Sequence, residues 1–215
     1  MTNIKHASRR RLAVAAIVAT GGLLLTACGG NDDMKGMDHG SKDSSASAKA
    51  TATPASGDFN DADVSFAQMM IPHHQQALEM AKLADGRAGD GQITSLAGKI
   101  EKAQDPEITT MKSWLKSWGK PVSPSSDSMP GMDHGSGGMA GMMSQKDMDE
   151  LKAAKGASFD RAFAQMMIDH HKGAITMAED ERKNGRNASA KKLAEDVIKN
   201  QTAEVTTLRK ILDRL

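Results

Sequence analysis

Two stretches of the chain place apolar residues at three- and four-residue spacing, and each is broken once by a turn containing Gly or Asn. In the first, Asp63, Phe66, Ala77 and Ala81 fall within about 40° of Met70 on a helical wheel, which marks one stripe for burial. Asp85-Gly86 to Gly91, and Asn184-Gly185 to Asn187, supply the breaks. The spacing predicts helices over about 61–84 and 92–118, and again over about 159–183 and 188–214. On the last of these, Leu193, Val197, Leu208, Ile211 and Leu215 continue a buried seam. Two short-looped hairpins pack most simply as an all-α, antiparallel four-helix bundle.

The hairpins are one unit written twice, 97 residues apart and without a gap. Phe66-Ala-Gln-Met-Met-Ile-Pro-His-His-Gln-Gln-Ala-Leu-Glu-Met-Ala81 matches Phe163-Ala-Gln-Met-Met-Ile-Asp-His-His-Lys-Gly-Ala-Ile-Thr-Met-Ala178. The same offset carries Asp63 onto Asp160, Leu96-Ala97 onto Leu193-Ala194, and Gln104-x-x-Glu107 onto Gln201-x-x-Glu204. Such a match indicates duplication, with a pseudo-twofold axis between the halves. Pro72 breaks the symmetry, because its counterpart is Asp169. A proline inside a helix removes a hydrogen bond, so a kink or local opening is expected just before His73.

The rest of the chain has no core-forming pattern. Residues 1–27 read as a signal peptide, with Arg9, Arg10 and Arg11 ahead of a short apolar run. That run ends in Leu25-Thr26-Ala27-Cys28, which resembles a lipobox, so Cys28 is expected to carry lipid. Ser8-Arg9-Arg10-Arg11-Leu12 also loosely resembles a twin-arginine signal. Residues 28–57 form a Gly/Ser/Lys-rich tether, followed by hairpin repeat 1 over 58–119. A linker rich in Met, Gly and His spans 120–156, and hairpin repeat 2 covers 157–215. With 28 basic against 27 acidic residues, charge argues for neither a nucleic-acid partner nor a polybasic membrane patch. Cys28 is the only thiol, so a soft-metal site in the exported part must come from Met and His.

The chemistry concentrates at the doubled His-His. His73 and His74 flank the buried stripe at about −60° and +40°, with Met69 and Met70 one turn below them. His170 and His171 repeat this with Met166 and Met167, while Met80 and Met177 lie further along the same helices. On the second helices Glu107 and Glu204 occupy seam positions where an apolar residue is expected. A buried carboxylate needs a cation, a donor or a metal. It either ligates a metal with the histidines or accepts hydrogen bonds from their rings. A second set lies outside the helices: Met34, Met37 and His39 in Met-Lys-Gly-Met-Asp-His-Gly-Ser, and Met129, Met132 and His134 in Met-Pro-Gly-Met-Asp-His-Gly-Ser. Thioether plus imidazole is a donor set for copper, Cu(I) more than Cu(II). The pattern leaves open whether the two His-His units form one site or two.

The run Asp-x-x-Phe-x-x-x-Met-x-x-His-His-x-x-Ala-x-x-Met-Ala, followed by Gln-x-x-Glu-Ile/Val, resembles the bacterial family labelled domain of unknown function 305. The resemblance implies a ferritin-like four-helix arrangement, an extracytoplasmic location and, for some members, copper binding and tolerance. Its motif falls on Asp63, Met70, His73, His74, Met80 and Glu107, and on Asp160, Met167, His170, His171, Met177 and Glu204. Met111 is matched by Leu208 in the second copy, against a ligand role. The expected function is a lipid-anchored copper-binding protein, not an enzyme, that sequesters copper or passes it to other copper-handling proteins. One alternative is a ferritin-like dinuclear iron or manganese oxidase, whose sites use Glu-x-x-His on two helices; this chain has no such pair. Another is a non-metal helical interaction module in which His and Glu pair only with each other.

Overall fold

In a computed structural model, residues 57–123 and 139–215 are described, and their apolar seams form helices. α1 spans Asp61–Leu83, α2 Gly91–Ser117, α3 Gln145–Ala153, α4 Ala157–Asn184 and α5 Ala188–Leu212. Four of these are the predicted helices, shifted by one or two residues at their ends, where helices fray. The expected signal peptide and tether, including Cys28, Met34, Met37 and His39, lie outside the described residues, as do Met129, Met132 and His134. No helix among the described residues is long and apolar enough to cross a membrane.

Two features differ from the sequence pattern. The linker is not featureless to its end: residues 145–153 form α3, opened by a capping box between Ser144 and Asp147. α3 buries Met148 and Leu151 in the core, and Lys152 ties it to Glu79 of α1 at 3.0 Å. The other difference is at Pro72, which lies inside α1 while the helix continues unbroken to Leu83. Proline removes its own N–H and crowds the carbonyl of Gln68, a local cost that does not end the helix.

α1 pairs with α2 and α4 with α5, and the two hairpins meet chiefly along α1 and α4. Because α1 and α4 cross as symmetry mates, the core divides into two apolar clusters. One joins Ala77, Met80 and Ile100 of the first hairpin to Phe163, Met167 and Leu208 of the second. The other joins Phe66, Met70, Met111 and Trp114 to Ala174, Ala194 and Val197. Each cluster takes the late half of one hairpin's first helix and the early half of the other's, as a twofold axis through the middle requires.

The hairpins are also tied at their turns. Asp63, in the first turn of α1, accepts hydrogen bonds from the Asn60 N–H at 2.6 Å and the Asn187 N–H at 2.8 Å. It also accepts from the Arg186 N–H, 3.1 Å away in the α4–α5 turn. Asp160 does the same in the other direction, accepting the Gly89 N–H of the α1–α2 turn at 3.1 Å. The shared position in the repeat thus makes each aspartate a fastener for the opposite hairpin.

Glu181 lies against Asp63 and is also buried. Burial, with the Asp63 carboxyl beside it, pushes the Glu181 carboxyl up to about 8. Its ordinary value is 4.5, so between about pH 4.5 and 8 the folded protein keeps a proton that the unfolded chain releases. Stability from this group therefore falls as pH rises through that window. Glu181→Gln, which carries the hydrogen permanently, is expected to raise the Tm by a few degrees at pH 8 and hardly at pH 5. Parallel Tm-against-pH curves for the two proteins would rule out the buried proton.

Candidate metal centre

Between the two apolar clusters lies a polar layer supplied by all four long helices. His73 and His74 enter it from α1, and His170 and His171 from α4; all four are at most 1% exposed. They are buried because the α1–α4 contact runs between the two His-His steps.

The layer sorts the histidines into two kinds. His74 Nε2 lies 2.8 Å from Glu107 Oε2 of α2, and His171 Nε2 lies 2.7 Å from Glu204 Oε2 of α5. Each carboxylate accepts the Nε2–H, which leaves Nδ1 as a bare acceptor, and neither Nδ1 has a partner. The glutamates keep one edge in solvent, with side chains 16% and 19% exposed, so their charge is not fully desolvated. The other two histidines meet on the pseudo-twofold axis: the ring centroids of His73 and His170 are 3.7 Å apart and their planes tilt by 41°. His73 and His170 therefore bring the two His-His steps into contact, while His74 and His171 are each turned to a glutamate of their own hairpin.

The central pair is poorly satisfied. His73 Nε2 lies 3.3 Å from the carbonyl of Ala140, while its Nδ1 and both ring nitrogens of His170 have no partner. Burial, with the neighbouring imidazoles of His74 and His171 adding to it, lowers His73 from 6.5 to about 3. Burial and the neighbouring imidazoles lower His170 further. Both rings are thus neutral at physiological pH, the state in which imidazole binds a metal. A buried polar atom left unpaired costs roughly 1–3 kcal/mol, and the protein's own groups supply no partner to these ring nitrogens.

Gln104 and Gln201 belong to the same layer, a role that the sequence pattern does not assign them. They are equivalent in the repeat and 3% exposed, and neither amide atom of Gln104 nor the Gln201 carbonyl has a partner. The available signal is a polar residue in each seam three positions before the glutamate.

The predicted thioether ligands are distributed on either side. Met80 and Met167 are buried together in one apolar cluster. Met70 is buried in the other, with Met177 packed partly buried against it. Among the described residues no three His, Asp or Glu side chains converge into a ready-made metal cluster. What the layer offers instead is paired neutral imidazoles with sulfur in the adjoining core. That donor set fits a soft ion with a low coordination number and not an oxygen-seeking one.

The chain is thus a duplicated four-helix bundle with a buried layer of imidazoles, several of whose ring nitrogens have no partner, between its two apolar clusters. The chain belongs to the family described as domain of unknown function (DUF305), whose family model matches residues 63–212. A DUF305 protein of Streptomyces coelicolor, described as a candidate secreted protein, is similar in structure with a TM-score of 0.65 and 31% identity. That match covers 71% of this chain and 93% of the other. CopM in its Cu(II)-bound form is similar with a TM-score of 0.60 and 37% identity, over 71% of this chain and 96% of CopM. CopM in its Cu(I)-bound form gives a TM-score of 0.57 and 33% identity, over 71% and 96%. Among curated proteins, none matches the chain.

Proposed function

We propose that this chain is an extracytoplasmic copper-binding protein, tethered through lipid on Cys28, that sequesters copper or passes it to other copper-handling proteins. The observation that carries the reading is the facing pair of neutral, buried imidazoles, His73 and His170, with three of their four ring nitrogens unpartnered. Copper would be held by these rings and by the free Nδ1 atoms of His74 and His171, with thioethers of Met70, Met167, Met80 and Met177 as the soft donors nearby. When bound, the ion supplies no reaction here; it is cargo. Glu107 and Glu204 act through the histidines, fixing which ring nitrogen keeps its proton and aiming the other inward. Similarity to CopM, which has been solved with Cu(I), Cu(II) and silver, supports the choice of metal. The Streptomyces coelicolor relative supports the location. The His74–Glu107 and His171–Glu204 pairs serve here to fix the ring tautomers, and a binding role suits the layer better than catalysis.

Titration of the purified chain with Cu(I) against a competing chelator tests the reading. Tight binding is expected, with loss of the strongest phase when His73, His74, His170 and His171 are all changed to Ala. Oxygen consumption with Fe(II) would favour the dinuclear oxidase instead, and absence of metal binding would leave an interaction module.

A further inference from the structure

Residues 139–143 cross the bundle over His73 and His170, and the two copies of the repeat receive them differently. Gln76 of α1 grips Met143 at both backbone groups: its amide nitrogen donates to the Met143 carbonyl at 2.9 Å, and its oxygen accepts the Met143 N–H at 2.7 Å. The equivalent position on α4, 97 residues later, is Gly173. A Cβ there would lie 1.9 Å from the Ala140 carbonyl oxygen and 2.8 Å from Gly141 Cα, so only glycine admits the crossing segment. Gly141 has φ +82°, and a Cβ on it would meet the Asp169 and His170 carbonyls at 2.7 and 2.9 Å. One position of the duplicated helix has thus diverged into a clamp on one side and a seat on the other. Between them the chain delivers the Ala140 carbonyl to His73 Nε2.

We infer that residues 139–143 form a releasable strap, latched by Gln76 and seated on Gly173, that closes the His73–His170 pair and must lift before metal reaches it. The inference rests on the copper reading for its purpose but not for its geometry. With the strap closed, His73 Nε2 is committed to a carbonyl and the rings are covered on that face. With it open, Nε2 is freed, and Met139 and Met142, both only partly buried, travel with the moving segment. Soft donors therefore sit on the piece that opens. The anchorage consists of the Gln76 clamp, the Ala140 carbonyl on His73, the glycine contact and the partly buried Met143 side chain against the core, and it is suited to release because no residue of 139–143 is fully buried.

Reaction of the metal-free full chain with diethyl pyrocarbonate, read residue by residue by mass spectrometry, tests this without any metal. His73 is expected to react slowly in the native chain. Each hydrogen bond of the clamp shifts an opening equilibrium by roughly fivefold, so Gln76→Ala is expected to speed His73 modification by about tenfold or more. His74 and His171, held by Glu107 and Glu204, should keep their native rates; general destabilisation would raise all three together. Gly173→Ala, which unseats the strap from the opposite side, should give the same selective rise while helicity is retained. Unchanged His73 reactivity in both variants, or rapid reaction in the native chain, would overturn the strap. Ag(I) capture, followed by stopped flow, should accelerate in Gln76→Ala. If His73 is selectively exposed but neither protein takes up Ag(I) or Cu(I), the strap stands and the copper reading falls.

Discussion

Changing His170 to Leu is expected to make the metal-free protein more stable while removing its strongest copper binding. Both His170 ring nitrogens are buried without a partner, beside a second imidazole whose centroid is 3.7 Å away. An unsatisfied buried polar atom costs roughly 1–3 kcal/mol, and replacing it with an apolar group of similar shape recovers much of that. Leu is close to His in volume and faces two apolar clusters. A gain of about 1–3 kcal/mol in urea denaturation is therefore expected. Cu(I) affinity should fall by at least roughly 100-fold, because even an outer partner of a metal ligand is worth 10–100-fold. Opposite signs in the two measurements would show that the layer is kept for binding at the expense of folding. A less stable His170→Leu protein would mean that the imidazole is satisfied in solution and carries no such cost.

Much of the scaffold is legible in the sequence alone. The 97-residue repeat contains the two hairpins, and the wheel positions of Phe66, Met70 and Ala77 identify the buried stripe. Pairing of His74 with Glu107 is one of two roles open to a seam glutamate, and the two side chains lie 2.8 Å apart. What the repeat does not contain is which histidines face each other. Symmetry allows either His73 or His74 to meet its counterpart, since both flank the stripe. The choice falls out of the α1–α4 crossing, which turns His73 and His170 to the axis and their neighbours toward α2 and α5. Gln104 and Gln201 are legible as part of the repeated Gln-x-x-Glu but not as buried polar groups, because one amide in a seam reads as a boundary residue until its partners are counted.

The strap is hidden for a different reason. Gln76 and Gly173 look like ordinary drift between repeats, and only a third segment lying across both gives the difference a purpose. α3 is masked by its surroundings, since a nine-residue helix at the end of a Gly- and Met-rich linker falls below the length at which periodicity speaks. Its capping box at Ser144 and Asp147 is the available signal. The repeat therefore conveys the scaffold well, and its departures from symmetry carry the specific features.

The same asymmetry yields the largest expected loss of stability. Asp63 and Asp160 are equivalent in sequence, yet Asp63 accepts three backbone N–H groups and Asp160 one. Truncating Asp63 to Ala would strand donors at the start of α1 and in the α4–α5 turn, all beside a buried carboxyl. The expected cost is about 3–5 kcal/mol, in the range reserved for broken buried networks. A domain with a total stability of roughly 5–15 kcal/mol would survive this only narrowly. Asp160→Ala should cost about 1–2 kcal/mol, since a single donor is released. The pH dependence should separate them as well. Burial pushes the Asp63 carboxyl up, but the backbone N–H groups of Asn60, Asn187 and Arg186, with the Glu181 carboxyl beside it, outweigh burial and hold the group below its usual range. Its contribution is present above the ordinary carboxylate range and is lost as pH falls through the lowered folded value. The native protein should therefore lose stability on acidification, and Asp63→Ala should start lower and fall less. Equal costs for the two alanine variants would show that the fasteners are as symmetric as the sequence, and that the extra hydrogen bonds of Asp63 contribute nothing.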